Sequence, residues 1–228
     1  MIAPSDCSLC PRLCESRKRV VNGAGPMSAL VWFIGQNGGR EEEERDEPLV
    51  GWSGDRVVEG AALVGLVKLP PEDELKTMDV EERVALYEAA RSTLRRDNIV
   101  KCRPPRGVGG DEVPTPGEIK KCRHYLLDDL RTPPQMVVTL GAPALKWFSR
   151  EYPLSVCHGN ARHWTHPDTN SSIMYMPMYH PAAAYRGRAT WLAPVMREDW
   201  RWLGVVLRGE DDQEGFAQHR AVLDKLIY

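Results

Sequence analysis

Four cysteines constrain this chain more than any other feature. Cys7 and Cys10 stand in Cys7-Ser-Leu-Cys10-Pro at the start, while Cys102 and Cys122 stand far downstream, in Lys101-Cys-Arg-Pro-Pro105 and Ile119-Lys-Lys-Cys-Arg123. Thiolates close tetrahedrally on a soft metal ion, or bind one to each iron of an iron–sulfur cluster. A split set of four in a reduced protein therefore asks for a metal or cluster that brings two remote segments together. On spacing alone zinc is somewhat favoured over a cluster. The chain has 6 cysteines, too few and too scattered for a disulfide scaffold. Cys14 and Cys157 fit no ligand position and read as buried free thiols.

The compartment follows from what the sequence lacks. Met1-Ile-Ala-Pro-Ser-Asp6 has no charged stretch leading into an apolar one, so no secretion signal is visible. No apolar run approaches the roughly 18 to 20 residues that span a bilayer. A reducing, cytoplasmic setting without membrane attachment is expected. With 228 residues, 42% of them hydrophobic, the chain can bury one sizeable core or at most two small ones. A net charge of −2 argues against coating nucleic acid by bulk electrostatics. It leaves room for a local basic rim, for which Arg103 with Arg106, Lys120 with Lys121 and Arg186 with Arg188 are candidates.

The apolar pattern alternates strand with helix. Ala29 to Ile34 reads as a buried strand ending at Gly35, followed by a Gly-rich, acidic loop from Gln36 to Gly54. Asp55 to Leu69 has helical spacing, stopped by Pro70-Pro71, and Asp79 with Glu82 opens a second helix through about Arg95. A short strand lies at Ile99-Val100. Thr115-Pro-Gly-Glu118 is a capping box that starts another helix. Met136 to Leu140 and Ile173 to Met178 are strands, Ala142 to Arg150 is a helix, and the region after Arg188 is mostly helical, with Trp191, Trp200 and Trp202 as packing residues. This order predicts an α/β fold: one domain over 1–228 with a central, mainly parallel four-stranded sheet flanked by helices. Ligands of such sheets bind beyond the carboxyl ends of the strands, which here are the loops after Gly35 and Met178, with Asn98 less firmly placed.

The context of the cysteines resembles one superfamily. Cys-x-x-Cys-Pro near the start, Lys101-Cys-Arg-Pro-Pro105 and Pro114-Thr-Pro-Gly-Glu-Ile119 before Cys122 are similar to the iron–sulfur uracil-DNA glycosylases, family 4 of the uracil-DNA glycosylase superfamily. The likeness runs from Cys7 to about Leu203 and continues in Thr139-Leu-Gly-Ala-Pro-Ala144 and Tyr179-His-Pro-Ala182. It implies the α/β/α sandwich of that superfamily and a structural [4Fe–4S] cluster on Cys7, Cys10, Cys102 and Cys122, with Zn2+ as the alternative. It also marks residues from about 70 to 95 as a helical insertion and those from about 208 to 228 as an added helical tail.

The resemblance also assigns the site. Asn98 matches the asparagine that reads a pyrimidine edge, since a carboxamide both donates and accepts. His180 matches the histidine that stabilises charge on the base O2 as the pyrimidine leaves. The first motif departs from the family: against Gly-Glu-Ala-Pro-Gly and a later Pro-Phe-Val-Gly, this chain has Gly35-Gln-Asn-Gly-Gly39 and Pro48-Leu-Val-Gly51. Gln36 thus replaces a carboxylate, Gly38 a proline and Leu49 a stacking phenylalanine. Asn37 restores the asparagine with which mismatch-specific and single-strand-selective relatives position the attacking water. Of the acidic run Glu41 to Glu44, one member is expected to brace this motif or all to face solvent. Tyr185 and Arg186 match the segment that wedges into DNA and grips phosphate, and Arg106 opens a flexible loop that lacks the histidine with which some relatives trap DNA.

These changes enlarge the slot for the base. The leading expectation is a monofunctional, monomeric DNA glycosylase that flips out a bulky C5-modified cytosine, hydroxymethylated or glucosylated as in phage DNA, and leaves an abasic site in anti-phage defence. Excision of uracil in base-excision repair is the second reading. A catalytically inactive iron–sulfur DNA-binding module is the third. DNA, modified or uracil-containing, is the partner in all three.

Overall fold

The computed structural model describes residues 2–184 and 189–227. Its strands, numbered along the chain, are β1 (Val31–Asn37), β2 (Arg95–Val100), β3 (Arg106–Gly107), β4 (Gly110–Asp111), β5 (Met136–Leu140), β6 (Arg162–Thr165) and β7 (Ser172–Met178). Five of them form one sheet in the order β2-β1-β5-β7-β6, and β3 and β4 make a small separate hairpin. β2, β1, β5 and β7 run parallel, and β6 joins β7 antiparallel at the edge. The α/β class and mainly parallel sheet agree with the sequence reading, but the sheet has five strands rather than four. The fifth, Arg-His-Trp-Thr, alternates half-buried with exposed residues, so no apolar run announces it.

The central strands are continuous apolar runs because helices cover both faces. Val31, Trp32, Phe33 and Ile34 are all buried, as are Met136 to Leu140. On one face α3 (Gly51–Leu63) and α9 (Leu192–Leu207) pack over Phe33, Val138 and Met176, with Trp200 5.6 Å from Phe33 between ring centroids. On the other, α1 (Pro11–Ser16), α6 (Pro116–Asp129) and α7 (Ala142–Phe148) close over Trp32, Ile34 and Tyr175. Trp202 is buried like Trp200, whereas Trp191 is 49% exposed and does not pack as expected. The capping box of α6 forms as its sequence dictates: the Glu118 amide donates to Thr115 Oγ1 at 3.3 Å, and the Thr115 amide donates to Glu118 Oε2 at 2.7 Å.

β2 is longer than its apolar residues suggested. Arg95, Arg96 and Asp97 are buried ahead of Asn98, each answered by a partner. Arg95 pairs with Asp129 at 2.8 Å, Arg96 donates to the Pro48 carbonyl at 2.7 Å, and Asp97 pairs with Lys101. Its outer edge is met at Arg96 by Ala24, which exchanges two 2.9 Å hydrogen bonds with it.

Four further helices complete the chain: α2 (Arg40–Arg45), α4 (Glu72–Thr77) with α5 (Val80–Ser92), and α8 (Leu154–Cys157). Asp79 caps α5 as expected, accepting from the Glu81 amide at 2.8 Å, although Glu82 does not complete a box. The tail forms α10 (Gln213–Ile227), whose His219 stacks on Trp202 with centroids 5.0 Å apart. Among the described residues no helix is long and apolar enough to cross a membrane.

Candidate active site

Four parallel strands deliver their carboxyl ends to one side of the sheet. Gly35 stands beside Asn98 in the β1–β2 register, Leu140 beside Met178 in the β5–β7 register, and β5 lies against β1. Strands pair about 4.8 Å apart, so Gln36, Asn37, Asn98 and His180 stand at or just past the carboxyl ends of the parallel strands, on the side of the sheet where ligands of such folds bind.

Asn98 is held from several sides. Its backbone amide donates to Asp97 Oδ1 at 2.7 Å and its carbonyl accepts from Lys101 Nζ at 3.1 Å. Its side-chain Nδ2 donates to Glu42 Oε1 at 3.3 Å, leaving one N–H and the oxygen to meet a ligand. The oxygen lies against the Cα of Gly35, where a Cβ would collide with it, which explains glycine at that position. Glu42 also accepts from the amides of Leu49, at 2.5 Å, and of Gly39. It is the bracing member of the acidic run, which the sequence left unassigned. Burial pushes its pKa up, and the three donors oppose that shift. Glu43 is buried too and accepts from the Lys18 amide at 2.9 Å, so the run is not simply a solvated face.

The first motif has a looser arrangement. Asn37 donates from Nδ2 to the Gly38 carbonyl at 2.9 Å. Gln36 Nε2 is buried without a hydrogen-bond partner; an orphaned buried donor is costly and marks a place for a water or ligand. A Cβ added at Gly38 would meet only Val21, at an ordinary van der Waals distance of 3.7 Å, so a small side chain fits there without strain. Leu49 is buried at 4% exposure with a φ of 52°. That left-handed backbone is strained for a branched residue and is held by the Glu42 bond.

His180 follows β7 and caps the short 3-10 helix Pro181–Ala183. Its Nδ1 accepts from the Ala182 amide at 3.2 Å, so the ring carries its proton on Nε2. Burial lowers its pKa to about 4, so it is neutral near pH 7. Gly141, with φ 89°, passes close beneath it, and a Cβ there would stand 3.2 Å from His180 Cβ.

The four cysteines come from remote segments to one place in the fold. Cys7, Cys10, Cys102 and Cys122 line one small internal cavity together with Arg17, Lys101 and Tyr125, and no carboxylate lines it. Cys102 Sγ accepts from Arg17 Nη1 at 3.0 Å, Cys122 Sγ from the Lys101 amide at 3.4 Å, and Cys7 Sγ from the Tyr125 hydroxyl at 3.5 Å. Burial pushes the thiols of Cys10 and Cys102 up and that of Cys122 to about 11; a cationic group among them would reverse that direction. Among the described residues no three His, Cys, Asp or Glu side chains gather closely enough to hold a single metal ion.

The remaining candidates lie apart. Arg106 is exposed on the β3–β4 hairpin, an ordered element where a flexible loop was expected. Arg103 is tied to Asp111 by two 2.7 Å bonds. Tyr185 and Arg186 lie outside the described residues. His158 is fully buried and bonded to Asp199 at 2.9 Å.

Residues 23–204 match the family model of the uracil DNA glycosylase superfamily, and the chain belongs to that superfamily: it is a DNA glycosylase, a hydrolase of N-glycosyl bonds. Within the superfamily it is of the family 4 kind. It is similar to the type-4 uracil-DNA glycosylase of Thermotoga maritima, at 30% identity over 196 residues covering 85% of each chain. The type-4 enzyme of Archaeoglobus fulgidus is 28% identical over 83% of this chain and 82% of its own. That of Saccharolobus solfataricus is 27% identical over 97% and 87%.

Proposed function

We propose that this glycosylase removes a pyrimidine larger than uracil, a C5-modified cytosine of the hydroxymethylated or glucosylated kind, and leaves an abasic site. The reading rests on two residues that depart from the family pattern, Gly38 and Leu49. Gly38 leaves space where a proline would stand, and Leu49 replaces a flat stacking ring. Chemistry of this kind in DNA whose cytosines are modified throughout would destroy a phage genome, a defence role for a monomeric cytoplasmic enzyme. Uracil is the second reading, favoured by the names of the three relatives.

The residues divide the work as follows. Flipping the nucleotide out of the stack costs a few kcal/mol. Asn98 then pairs with the base edge through its free N–H and oxygen. As the N-glycosidic bond breaks, the sugar takes on oxocarbenium character and charge moves onto the base O2, where the Nε2–H of neutral His180 donates. Asn37 Oδ1 accepts from the attacking water, and the buried Gln36 Nε2 donates to it. No strong base is needed, because the electron-poor sugar carbon draws the water in; as the water oxygen bonds to that carbon its surplus proton passes to solvent, and the departed pyrimidine anion takes up a proton from solvent, so the products are the neutral base and the abasic sugar.

Cys7, Cys10, Cys102 and Cys122 suit a [4Fe–4S] cluster better than zinc. A cluster takes one thiolate per iron, whereas a zinc ion must touch all four at about 2.3 Å, and these thiols do not gather on one point. The cluster would tie the N-terminal segment to the end of β2 and to α6. Iron and sulfide analysis of the purified protein tests this assignment, and stoichiometric zinc would refute it.

Base release measured by mass spectrometry, from DNA with glucosylated hydroxymethylcytosine and from uracil-containing DNA, tests the substrate. Release of the modified base supports the proposal, and release of uracil alone rejects it in favour of repair.

A further inference from the structure

The strand that carries His180 is fastened from behind. The β5–β7 ladder ends at Met178, opposite Leu140, so Tyr179 and His180 continue past the last pairing of the sheet. The segment after α8 meets them there. Gly159 donates its amide to the Pro177 carbonyl at 2.8 Å, and the His158 ring lies 4.9 Å from the Tyr179 ring between centroids. His158 is itself held by Asp199 of α9, whose two carboxylate oxygens stand 2.9 and 3.1 Å from its Nδ1. Both side chains are fully buried.

The helical tail closes over this pair. His219 of α10 is 3% exposed, with Nε2 3.7 Å from Asp199 Oδ1 and Nδ1 3.6 Å from Glu198 Oε1. Those distances exceed a hydrogen bond, and burial lowers its pKa to about 4. A neutral ring, stacked on Trp202, thus walls the pair off from water without bonding to it. The neighbouring Arg220 reaches the His158 carbonyl with a long bond of 3.5 Å. Packing here dictates glycine at position 159: its φ is 68°, and a Cβ would collide with Asp199 Oδ1 and stand 2.8 Å from His219 Nε2. α10 lies beyond residues 23–204, which match the family model, so its part in this packing is not part of that pattern.

We propose that Asp199 and His158, roofed by His219, are positioning residues that hold the Tyr179-His180 segment at the angle base release requires. A buried carboxylate–imidazole pair is a poor source of stability, since apolar residues of like volume would often serve as well. What it supplies is direction, because it fixes one ring against one backbone segment. Among the described residues the cluster does not gather as a metal site. Direction matters at His180, whose Nε2–H must meet charge that develops on the base O2 as the bond breaks. Misplacement by about 1 Å can cost about a hundredfold in rate. The inference rests on the role of His180 and not on which base is removed.

The test uses the whole protein, with Asp199→Asn and His219→Ala made both in the parent and in His180→Ala. After thermal melts establish which variants are folded, base release at saturating DNA is measured beside affinity for a duplex carrying a tetrahydrofuran abasic analogue. The DNA is whichever of the glucosylated-hydroxymethylcytosine and uracil substrates the parent acts on. Asp199→Asn is expected to slow release about tenfold, and His219→Ala less, at parent affinity. Neither should slow it further once His180 is gone. A carbon–proton NMR spectrum of the histidine rings gives a reading that needs no activity: the His180 signal, identified by its loss in His180→Ala, should shift or broaden in both variants. His219→Ala, on the tail, carries the test if Asp199→Asn does not fold. Equal losses with and without His180, or an unmoved His180 signal, would overturn the proposal. A parent-like rate in His180→Ala would reject the role of His180 itself, and the inference with it.

Discussion

The crevice has two unlike sides. Asn98 and His180 are fixed by hydrogen bonds that set their donor and acceptor faces, through Glu42, Asp97 and Lys101 for one and the Ala182 amide for the other. By contrast, Gln36 has an unpartnered buried nitrogen, Gly38 has only Val21 within reach of an added Cβ, and Leu49 holds a left-handed backbone. The rigid side carries groups that would act on any pyrimidine. On the proposed reading the looser side sets the size of what fits, and there the chain departs from the family pattern. The difference teaches that the reaction and its substrate range are separable in this fold.

The largest expected effect lies on the rigid side. His180→Ala should lower base release at saturating DNA by about 10²–10³, with binding to abasic DNA unchanged. Because burial holds His180 near a pKa of about 4, the parent rate should show no inflection at the ordinary histidine value near 6.5. The same depressed pKa makes the unfolded chain the better proton binder between about pH 6.5 and 4. Stability should therefore fall as pH drops through that window, and His180→Asn should soften the fall. An activity inflection near pH 6.5 would show that His180 ionises freely and is not rigidly held.

Glu42→Gln ranks next, because it touches both sides. A neutral amide offers one oxygen to donors that a carboxylate meets with two, and an unmet buried donor costs about 1–3 kcal/mol. The melting temperature should drop by several degrees, and affinity for the base should weaken more than the rate at saturation. A change in neither would mean that Asn98 and the Leu49 turn hold themselves. The smallest effect on the fold is expected of Gly38→Ala, whose Cβ meets only Val21 at van der Waals range. It should leave stability and uracil release near the parent values while reducing release of the bulky base. Equal loss on both substrates would dissolve the division between the two sides.

Much of this was legible in the residues. The apolar runs of β1, β5 and β7, the α6 capping box and the cysteine pairs carry their own physical signatures, and they put the crevice at the strand ends. Three features were not. β2 begins with Arg95, Arg96 and Asp97, charges that pattern reading assigns to solvent because their partners Asp129, Pro48 and Lys101 come from elsewhere. α2, Arg-Glu-Glu-Glu-Glu-Arg, has no apolar period at all; Glu42 and Glu43 turn inward to meet backbone amides, a reason visible only once Leu49 and Lys18 are in place. β6 is short, half-exposed and polar, and becomes a strand because β7 offers it an edge.

The most direct test is mass-spectrometric base release by the parent and by Gly38→Ala, from DNA with glucosylated hydroxymethylcytosine and from DNA with uracil. The proposed role of Gly38 and Leu49 predicts that the parent frees the modified base and that the alanine suppresses this release selectively. Release of uracil alone by both proteins would contradict it.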